Sequence, residues 1–291
     1  MTVAATMPRT RLATWARRLA LFSAALILVA LVLHRVGVIA TPLAIGLVLT
    51  GFTGAGFALL SGIAAGLVIW RTGAAGAWSA VGGIAVSLAI FAWPASVVPF
   101  YLRLPHLNDV TTDTEHPPEF AALARARPRA ANTVVYRGQS SAVRQEAHYP
   151  EIQPMILDRP AEEVFEAASE AARRLKWRIA AEDAPQEDGT SGHIEAEDRT
   201  LILGFIDDVI VRVENDSGTT RVDVRSLSRY GRHDFGRNAT RVKEFYTELQ
   251  ARLEAAVPGA VAGRGKDKAR GRKMPPKVRK GAPAQGQVPR K

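Results

Sequence analysis

The chain has 291 residues, no cysteine, 38 lysines and arginines, and 28 aspartates and glutamates. Residues 1–104 carry seven arginines and no acidic residue, residues 105–263 carry 20 basic and 27 acidic residues, and residues 264–291 carry eleven basic residues and one aspartate. The formal charge of +10 therefore equals that of the last segment, and the folded part is not a basic domain. This division excludes a simple one-domain soluble enzyme, and the lack of cysteine excludes disulfides and thiolate chemistry.

Three long uncharged runs predict an all-α transmembrane bundle over residues 16–102, after a basic segment at residues 1–15. The predicted helices are 16–39, 44–70 and 77–102, with turns at Thr41-Pro42 and Thr72-Gly73. Each run exceeds the roughly 20 apolar residues that cross about 30 Å of hydrocarbon. The lipid bilayer is thus a predicted partner. Because these spans contain no aspartate, glutamate or lysine, a transporter is disfavoured.

Small residues recur every four positions in the second predicted helix, at Gly54, Ala58, Gly62 and Gly66. This pattern lets another helix approach closely. Packing within one chain is the favoured interpretation, and a homodimer contact through the same stripe is the alternative.

The arginines around the first predicted helix indicate its orientation. Four of them, Arg9, Arg11, Arg17 and Arg18, lie at its start, whereas Arg35 alone follows its core. The positive-inside bias then predicts a cytoplasmic N-terminus. Three crossings place the C-terminal domain in the periplasm or another extracytoplasmic space, so the sequence predicts a multi-pass inner-membrane protein.

Beyond the spans, two segments of different character follow. Residues 103–150 contain five prolines and predict an ordered but irregular approach segment. Residues 151–257 predict an α+β domain, in which two helices lie on one face of an antiparallel sheet.

Hydrophobic periodicity predicts the elements of this α+β domain in order. A strand at 151–157 precedes a helix that begins at Pro160 and carries an apolar stripe from Val164 to Leu175. Strands follow at 177–181 and 193–198, the second with one face in water, and Asp188-Gly189 lies in the turn between them. A hairpin pairs 209–213 with 221–225 across a turn at 214–219, and a helix at 238–256 closes the domain.

Three blocks of sequence carry a resemblance to a known family. They are LNDVTTDTEHPPEF at 107–120, GFIDDVIVRVE at 204–214 and RSLSRYGRHDFGRNATRV at 225–242. In this order and spacing they resemble the domain of unknown function 1499 family, which occurs in bacteria and plants and in some bacterial members follows a few membrane helices. The resemblance spans roughly residues 104–253. It implies a domain, but it implies no known activity.

Asp207 and Asp208 form the most conspicuous acidic pair. On a strand, neighbouring side chains point to opposite faces, so these two cannot share one metal ion or act as an acid/base couple. We therefore expect one to cap a turn or pair with an arginine, and the other to be solvated. The six histidines lack the spacing of a zinc helix, and the sequence predicts no metal and no cofactor.

The strongest candidate surface is the corner where the last strand leads into the closing helix. Arginines near a helix N-terminus, with its unpaired amide donors, are typical of an anion site. The structural alternative, which we favour, is that Asp234 or Asn238 caps the helix while arginines pair with the aspartates. The candidate ligand-binding residues are Asp207, Asp208, Arg225, Ser226, Ser228, Arg229, Asp234, Asn238 and Arg241.

The basic tail at 258–291 combines glycine, proline and cations without apolar periodicity, and it is predicted to be disordered. Its predicted partners are anionic lipid headgroups or envelope polyanions, or nucleic acid if the C-terminus is cytoplasmic. Three functions stay open: a non-enzymatic binding or scaffolding protein of the envelope, which we favour, an envelope enzyme acting on an anionic substrate, and a membrane-tethered nucleic-acid binder.

Overall fold

The computed structural model describes residues 10–186, 191–216 and 218–256. Three helices come first: α1 (Arg11–Arg35), α2 (Thr41–Thr72) and α3 (Ala77–Arg103), all long and apolar enough to cross a membrane. The expectations for residues 1–9, for the turn at Asp188-Gly189 and for the tail at 258–291 fall outside the described residues.

The turns between the membrane helices differ from the prediction at one place. Thr41 and Pro42 are the first residues of α2 and not a turn. Proline is tolerated there because its missing N–H has no partner in the first turn of a helix. The second turn lies where expected, since α2 ends at Thr72 and Gly73 adopts the left-handed conformation at φ 67°.

The stripe of small residues packs mainly inside the bundle. A side chain at Gly62 would lie 2.7 Å from Ile84 of α3, a side chain at Gly54 would clash with Ser23 of α1, and Ala58 is buried. These three positions account for the close approach of the helices within one chain. Gly66 has open space around it, and a homodimer contact there stays a prediction.

The second half of the chain is an α+β domain, as the sequence predicts. Its elements are β1 (Asp109–Thr111), α4 (Ala122–Ala126), α5 (Gln139–His148), β2 (Met155–Leu157), α6 (Ala161–Arg174), β3 (Arg178–Asp183), β4 (Gly192–Arg199), β5 (Ile206–Asp216), β6 (Thr219–Ser228) and α7 (Arg237–Ala255). The strands form one antiparallel sheet in the order β1-β6-β5-β4-β3, and β2 pairs with the other end of β6 along the same edge as β1.

One face of the sheet is apolar and is covered by the two larger helices. Valines of β5 and β6 alternate toward this face, and the stripes of α6 and α7 pack onto them. The central buried side chains are Val164, Phe165, Trp177, Val209, Val211, Val213, Val222, Val224, Val242, Phe245 and Leu249.

The segment 103–150, which the sequence predicts to be an irregular approach, belongs to the folded domain. It supplies β1 to the edge of β6 and the helices α4 and α5. Its Phe120 and Leu123 pack on Ile210 and Leu227 on the face away from α6 and α7. The segment escapes periodicity analysis because its strand has three residues and its buried positions are separated by prolines.

The segment 103–150 also covers one face of β4, and the expectation that this face lies in water is therefore wrong. Glu195 and Glu197 point away from α6 and α7, but both are buried. The two oxygens of Glu195 accept hydrogen bonds from the amides of Ala121, Ala122 and Leu123 at 2.8–2.9 Å, at the start of α4. These three amides thus satisfy the Glu195 carboxylate in place of the water that the alternating pattern suggests.

Candidate functional site

The sheet separates eight of the nine candidate residues into two groups, and the ninth, Asp234, lies just before α7. The strand register places Asp207 opposite Ser228 and Asp208 opposite Leu227, and residues directly opposite each other share a face. Asp207, Ser226, Ser228, Asn238 and Arg241 lie on the face covered by α7. Asp208, Arg225 and Arg229 lie on the face covered by the segment 103–150. The candidates therefore do not converge on a single site.

Arg241 is the centre of the group on the α7 face, and it is fully buried. Its Nε donates to Asp198 and one terminal nitrogen donates to Asp207, both at 2.7 Å. The other terminal nitrogen donates to Ser226 Oγ at 2.9 Å and to Asn238 Oδ1 at 2.7 Å. Burial by itself would lower the pKa of Arg241, but Asp207 and Asp198 outweigh it and raise that pKa. The guanidinium ties α7 to three strands.

Ser226 and Ser228, which lie beside Arg241, form hydrogen bonds with the side-chain amide of Asn238 and not with a general base. Ser226 Oγ donates to Asn238 Oδ1 at 2.8 Å, and Asn238 Nδ2 donates to Ser228 Oγ at 3.0 Å. A serine nucleophile needs a general base within hydrogen-bond reach. The observed geometry instead fixes the orientation of the Asn238 amide in the core.

The start of α7, the predicted anion site, is filled by a carboxylate of the chain itself. Asp234 accepts hydrogen bonds from the amides of Gly236 at 2.8 Å and Asn238 at 2.9 Å. Burial raises the pKa of Asp234, although these two amide bonds oppose the shift. The N-cap position itself is Gly236, and of the two candidates Asp234 bonds the amides at the start of α7, while Asn238 points into the core.

On the opposite face, Asp208 is completely buried between two arginines. Arg229 Nε donates to Asp208 Oδ1 at 2.9 Å, and Arg127 Nε lies 3.2 Å from Asp208 Oδ2. Burial raises the pKa of Asp208 despite both guanidiniums. The expectation that one of the aspartates is solvated is therefore wrong, because the segment 103–150 covers this face and supplies Arg127.

Glu197 extends this chain of charges toward the sheet edge. It accepts hydrogen bonds from Arg229 at 2.5 Å and from Arg178 Nε at 2.9 Å. Burial would raise the pKa of Glu197, but the bonds from Arg178 and Arg229 outweigh it and lower that pKa. Positive and negative charges thus alternate along a row of contacts across the sheet, in the order Arg178, Glu197, Arg229, Asp208 and Arg127.

Arg225 forms a separate, fully buried pair on the same face. It binds Asp109 of β1 with two parallel hydrogen bonds of 3.0 and 2.8 Å, which is the strongest geometry for such a pair. Its remaining donors reach the carbonyl oxygens of Pro118 at 3.0 Å and Val134 at 2.7 Å. Arg225 thereby fastens the covering segment to the sheet.

A third charged group lies near the hairpin end of this face. Asp223 accepts hydrogen bonds from Arg212 and Arg221 at 2.8 Å, and both arginines also reach Asp113 at 3.1 and 2.9 Å. Burial would raise the pKa of Asp113, but backbone amides and the two arginines outweigh it and lower that pKa.

The arrangement offers ion pairs and not an assembled reaction centre. Within the described ranges, no group of three or more histidines and carboxylates has the geometry to hold a metal ion. The buried arginines and carboxylates described above face one another and neutralise one another's charge in this state. Arg127 is the least satisfied of them, since its three guanidinium nitrogens are buried and form no hydrogen bond with the described residues.

Comparisons with known proteins address the extramembrane domain. Residues 109–249 match the family described as "Protein of unknown function (DUF1499)". The extramembrane domain belongs to the DUF1499 family. The resemblance found in the sequence is therefore confirmed, and the three apolar helices precede the matched residues.

Two further comparisons concern curated proteins and solved structures. A search of curated proteins gave no match. Among solved structures, the crystal structure of CalU16 from Micromonospora echinospora is similar over 35% of this chain and 82% of its own length, with 16% sequence identity and a TM-score of 0.19.

Sequence reasoning missed several partners of the candidate residues in the DUF1499 domain, namely Asp109, Arg127, Glu197 and Asp198. Only Glu197 left a signal, because Glu195 and Glu197 alternate with Ile194 and Ala196 along β4. Asp109 lies 116 residues from Arg225 and Arg127 lies 81 residues from Asp208, and no spacing rule links them.

The DUF1499 domain contacts the membrane helices through the loop between β4 and β5. Arg35 at the end of α1 donates from Nε to the carbonyl oxygen of Leu201 at 3.1 Å. His34 Nδ1 lies 2.8 Å from the carbonyl oxygen of Leu203, and Arg199 donates to the carbonyl oxygen of His34 at 3.0 Å. Hydrogen bonds therefore hold the domain against one end of the bundle.

Proposed function

We propose that this chain is a multi-pass inner-membrane protein whose DUF1499 domain serves as a rigid, non-enzymatic binding or scaffolding domain on the envelope side. One observation carries the proposal: the buried arginines and carboxylates of the domain bind one another. Buried ion pairs of this kind add little net stability compared with apolar packing, but breaking one is costly. They favour one fixed arrangement of sheet, helix and covering segment.

The alternative function, an envelope enzyme acting on an anionic substrate, needs a different state of the same residues. Asp207, Asp208 or the arginines near Asn238 would have to exchange their internal partners for substrate. Asp207, Asp208 and Arg241 are buried, so such an exchange would open the domain, whereas Arg237 next to Asn238 is partly exposed.

Chemical access to the carboxylates separates the two functions. We expect a water-soluble carbodiimide with an amine nucleophile to leave Asp207 and Asp208 unmodified in the intact protein, because both are buried and paired. Glu162 and Glu166, which are exposed on α6, are the matched controls and should be modified. Peptide mass spectrometry measures the extent. Modification of Asp208 at the rate of Glu166 would favour the enzyme and contradict the scaffold.

The proposed orientation rests on the arginine bias, and the contacts of α1 support the three crossings that it assumes. Its start lies beside the turn after α2, with Thr10 N bonded to the carbonyl oxygen of Ala75 at 3.1 Å, whereas its end contacts the domain. This is the arrangement that three crossings require.

A topology reporter tests the orientation. An enzyme active only outside the cytoplasm is expected to be active when fused after Arg103 and inactive when fused after Arg71, because these arginines end successive spans. With this outcome, the proposed partners of the tail are anionic headgroups and envelope polyanions. The reverse pattern would contradict the envelope location and make nucleic acid the proposed partner of the tail.

A further inference from the structure

An apolar crevice opens among α1, α2 and α3 at the end that faces the DUF1499 domain. Its volume is about 410 Å³, and its roof consists of Leu203 and Phe205 from the loop between β4 and β5. This volume lies within the range of about 300–1,000 Å³ found for small-molecule sites. The crevice therefore combines walls from the membrane helices with a lid from the extramembrane domain.

The depth of the crevice matches one leaflet of a bilayer. On α1 its lining runs from Ala24 to His34. Ten residues of helix at about 1.5 Å each span roughly 15 Å, which is half of the hydrocarbon thickness of about 30 Å. On α2 and α3 the walls include Phe52, Ala89 and Trp93, so the lower part is wholly apolar.

The rim beside the roof of the crevice carries two arginines, which are neighbours of the lining residues and not among them. Arg35 and Arg199 flank Gly204, the residue between the two roof side chains, and a side chain at Gly204 would lie 3.1 Å from Arg35 and 3.4 Å from Arg199. Both guanidiniums are exposed, and their hydrogen bonds go to backbone carbonyl oxygens. In the described part of the chain, neither forms an ion pair with a carboxylate, unlike the buried arginines of the domain.

We propose that the crevice binds one acidic phospholipid, with an acyl chain between the helices and the phosphate between Arg35 and Arg199. The charge of the rim is complementary to phosphate, and guanidiniums form charge-assisted hydrogen bonds with phosphate oxygens. The apolar walls accept a chain of one leaflet's depth. Because Leu203 and Phe205 roof the site, the bound lipid also fixes the DUF1499 domain on the bundle.

Native mass spectrometry of the intact protein in detergent tests this site. The probes are phosphatidylglycerol and phosphatidylcholine with identical acyl chains. We expect one phosphatidylglycerol to be retained about tenfold more strongly than phosphatidylcholine, which is the effect of a charge-assisted bond. The double variant Arg35→Gln/Arg199→Gln should lose this preference. Arg71→Gln removes a cation at the end of α2 away from the domain and should leave the preference unchanged.

A second variant tests the acyl chain independently of the cations. Ala89→Phe narrows the crevice while Arg35 and Arg199 stay in place, and it should weaken the retention of both lipids about tenfold or more. Excess inorganic phosphate should fail to displace phosphatidylglycerol, since phosphate lacks the chain. The basic tail is the same in every variant, so the differences report on the crevice. Equal retention of the two lipids, an unchanged Ala89→Phe variant, or displacement by phosphate would overturn the proposal.

Discussion

Replacing Arg241 with methionine is expected to destabilise the DUF1499 domain by about 3–5 kcal/mol, the usual cost of removing one partner from a buried ion pair. Methionine fills a similar volume, but it leaves Asp207 and Asp198 buried without the guanidinium that binds them at 2.7 Å. Amide hydrogen exchange of β5 and β6 in the intact protein measures the loss, since the protection of core strands reports the free energy of opening.

Two controls make this result specific to the buried charge. Arg237→Met is the same substitution four residues earlier on α7, where Arg237 is partly exposed and lies 3.5 Å from Asp198, and it should cost no more than about 1 kcal/mol. Adding Asp207→Asn to Arg241→Met should recover part of the loss, because one unpaired charge disappears. If Arg241→Met costs no more than Arg237→Met, the interpretation of Arg241 as the tie between α7 and the sheet is wrong.

The sequence predicts those elements whose physical cause is local. Alternating valines define the hairpin of β5 and β6, and the apolar stripe of Phe245 and Leu249 defines α7 within one residue of its bounds. Three apolar runs define the membrane helices. In each case, neighbours in the chain decide the structure, so a periodic pattern is sufficient.

Long-range charge pairing is the part that periodicity does not predict. The alternation along β6 places Arg221, Asp223 and Arg225 on one face, which suggests a solvated surface. That face is buried because the segment 103–150 folds over it and brings Asp109 and Asp113 as partners. Reading a charged strand face as solvated fails here because another part of the chain neutralises the charges.

The arginines of the DUF1499 domain and the arginines at its membrane end differ in their partners. In the DUF1499 domain, Arg225, Arg229 and Arg241 end on carboxylates of the chain and form its interior. At the membrane end, Arg35 and Arg199 bond only backbone carbonyl oxygens among the described residues and lie beside an apolar crevice. Arg35 and Arg199 are thus exposed and have donors left for a ligand, whereas the nitrogens of Arg127 that form no hydrogen bond are buried beside Asp208.

Replacing Phe245 with alanine is expected to destabilise the domain by about 3–5 kcal/mol, because the cavity adds to the lost burial. Phe245 is fully buried on α7, and its ring stacks on Trp177 with centroids 5.4 Å apart and an interplanar angle of 15°. Aromatic contact contributes in addition to buried area. Hydrogen exchange of α7 and β6 measures the change, and the emission of Trp177 should shift as its neighbour is removed.

Deleting residues 264–291 is the matched comparison for Phe245→Ala. The deletion removes the segment whose charge equals the net charge of +10, and by composition this segment carries no apolar stripe for the core. We therefore expect the stability of the domain to change by no more than about 0.5 kcal/mol, as for surface changes. A deletion that costs as much as Phe245→Ala would place part of the folded domain beyond α7, and a Phe245→Ala variant as stable as the parent would remove α7 from the core.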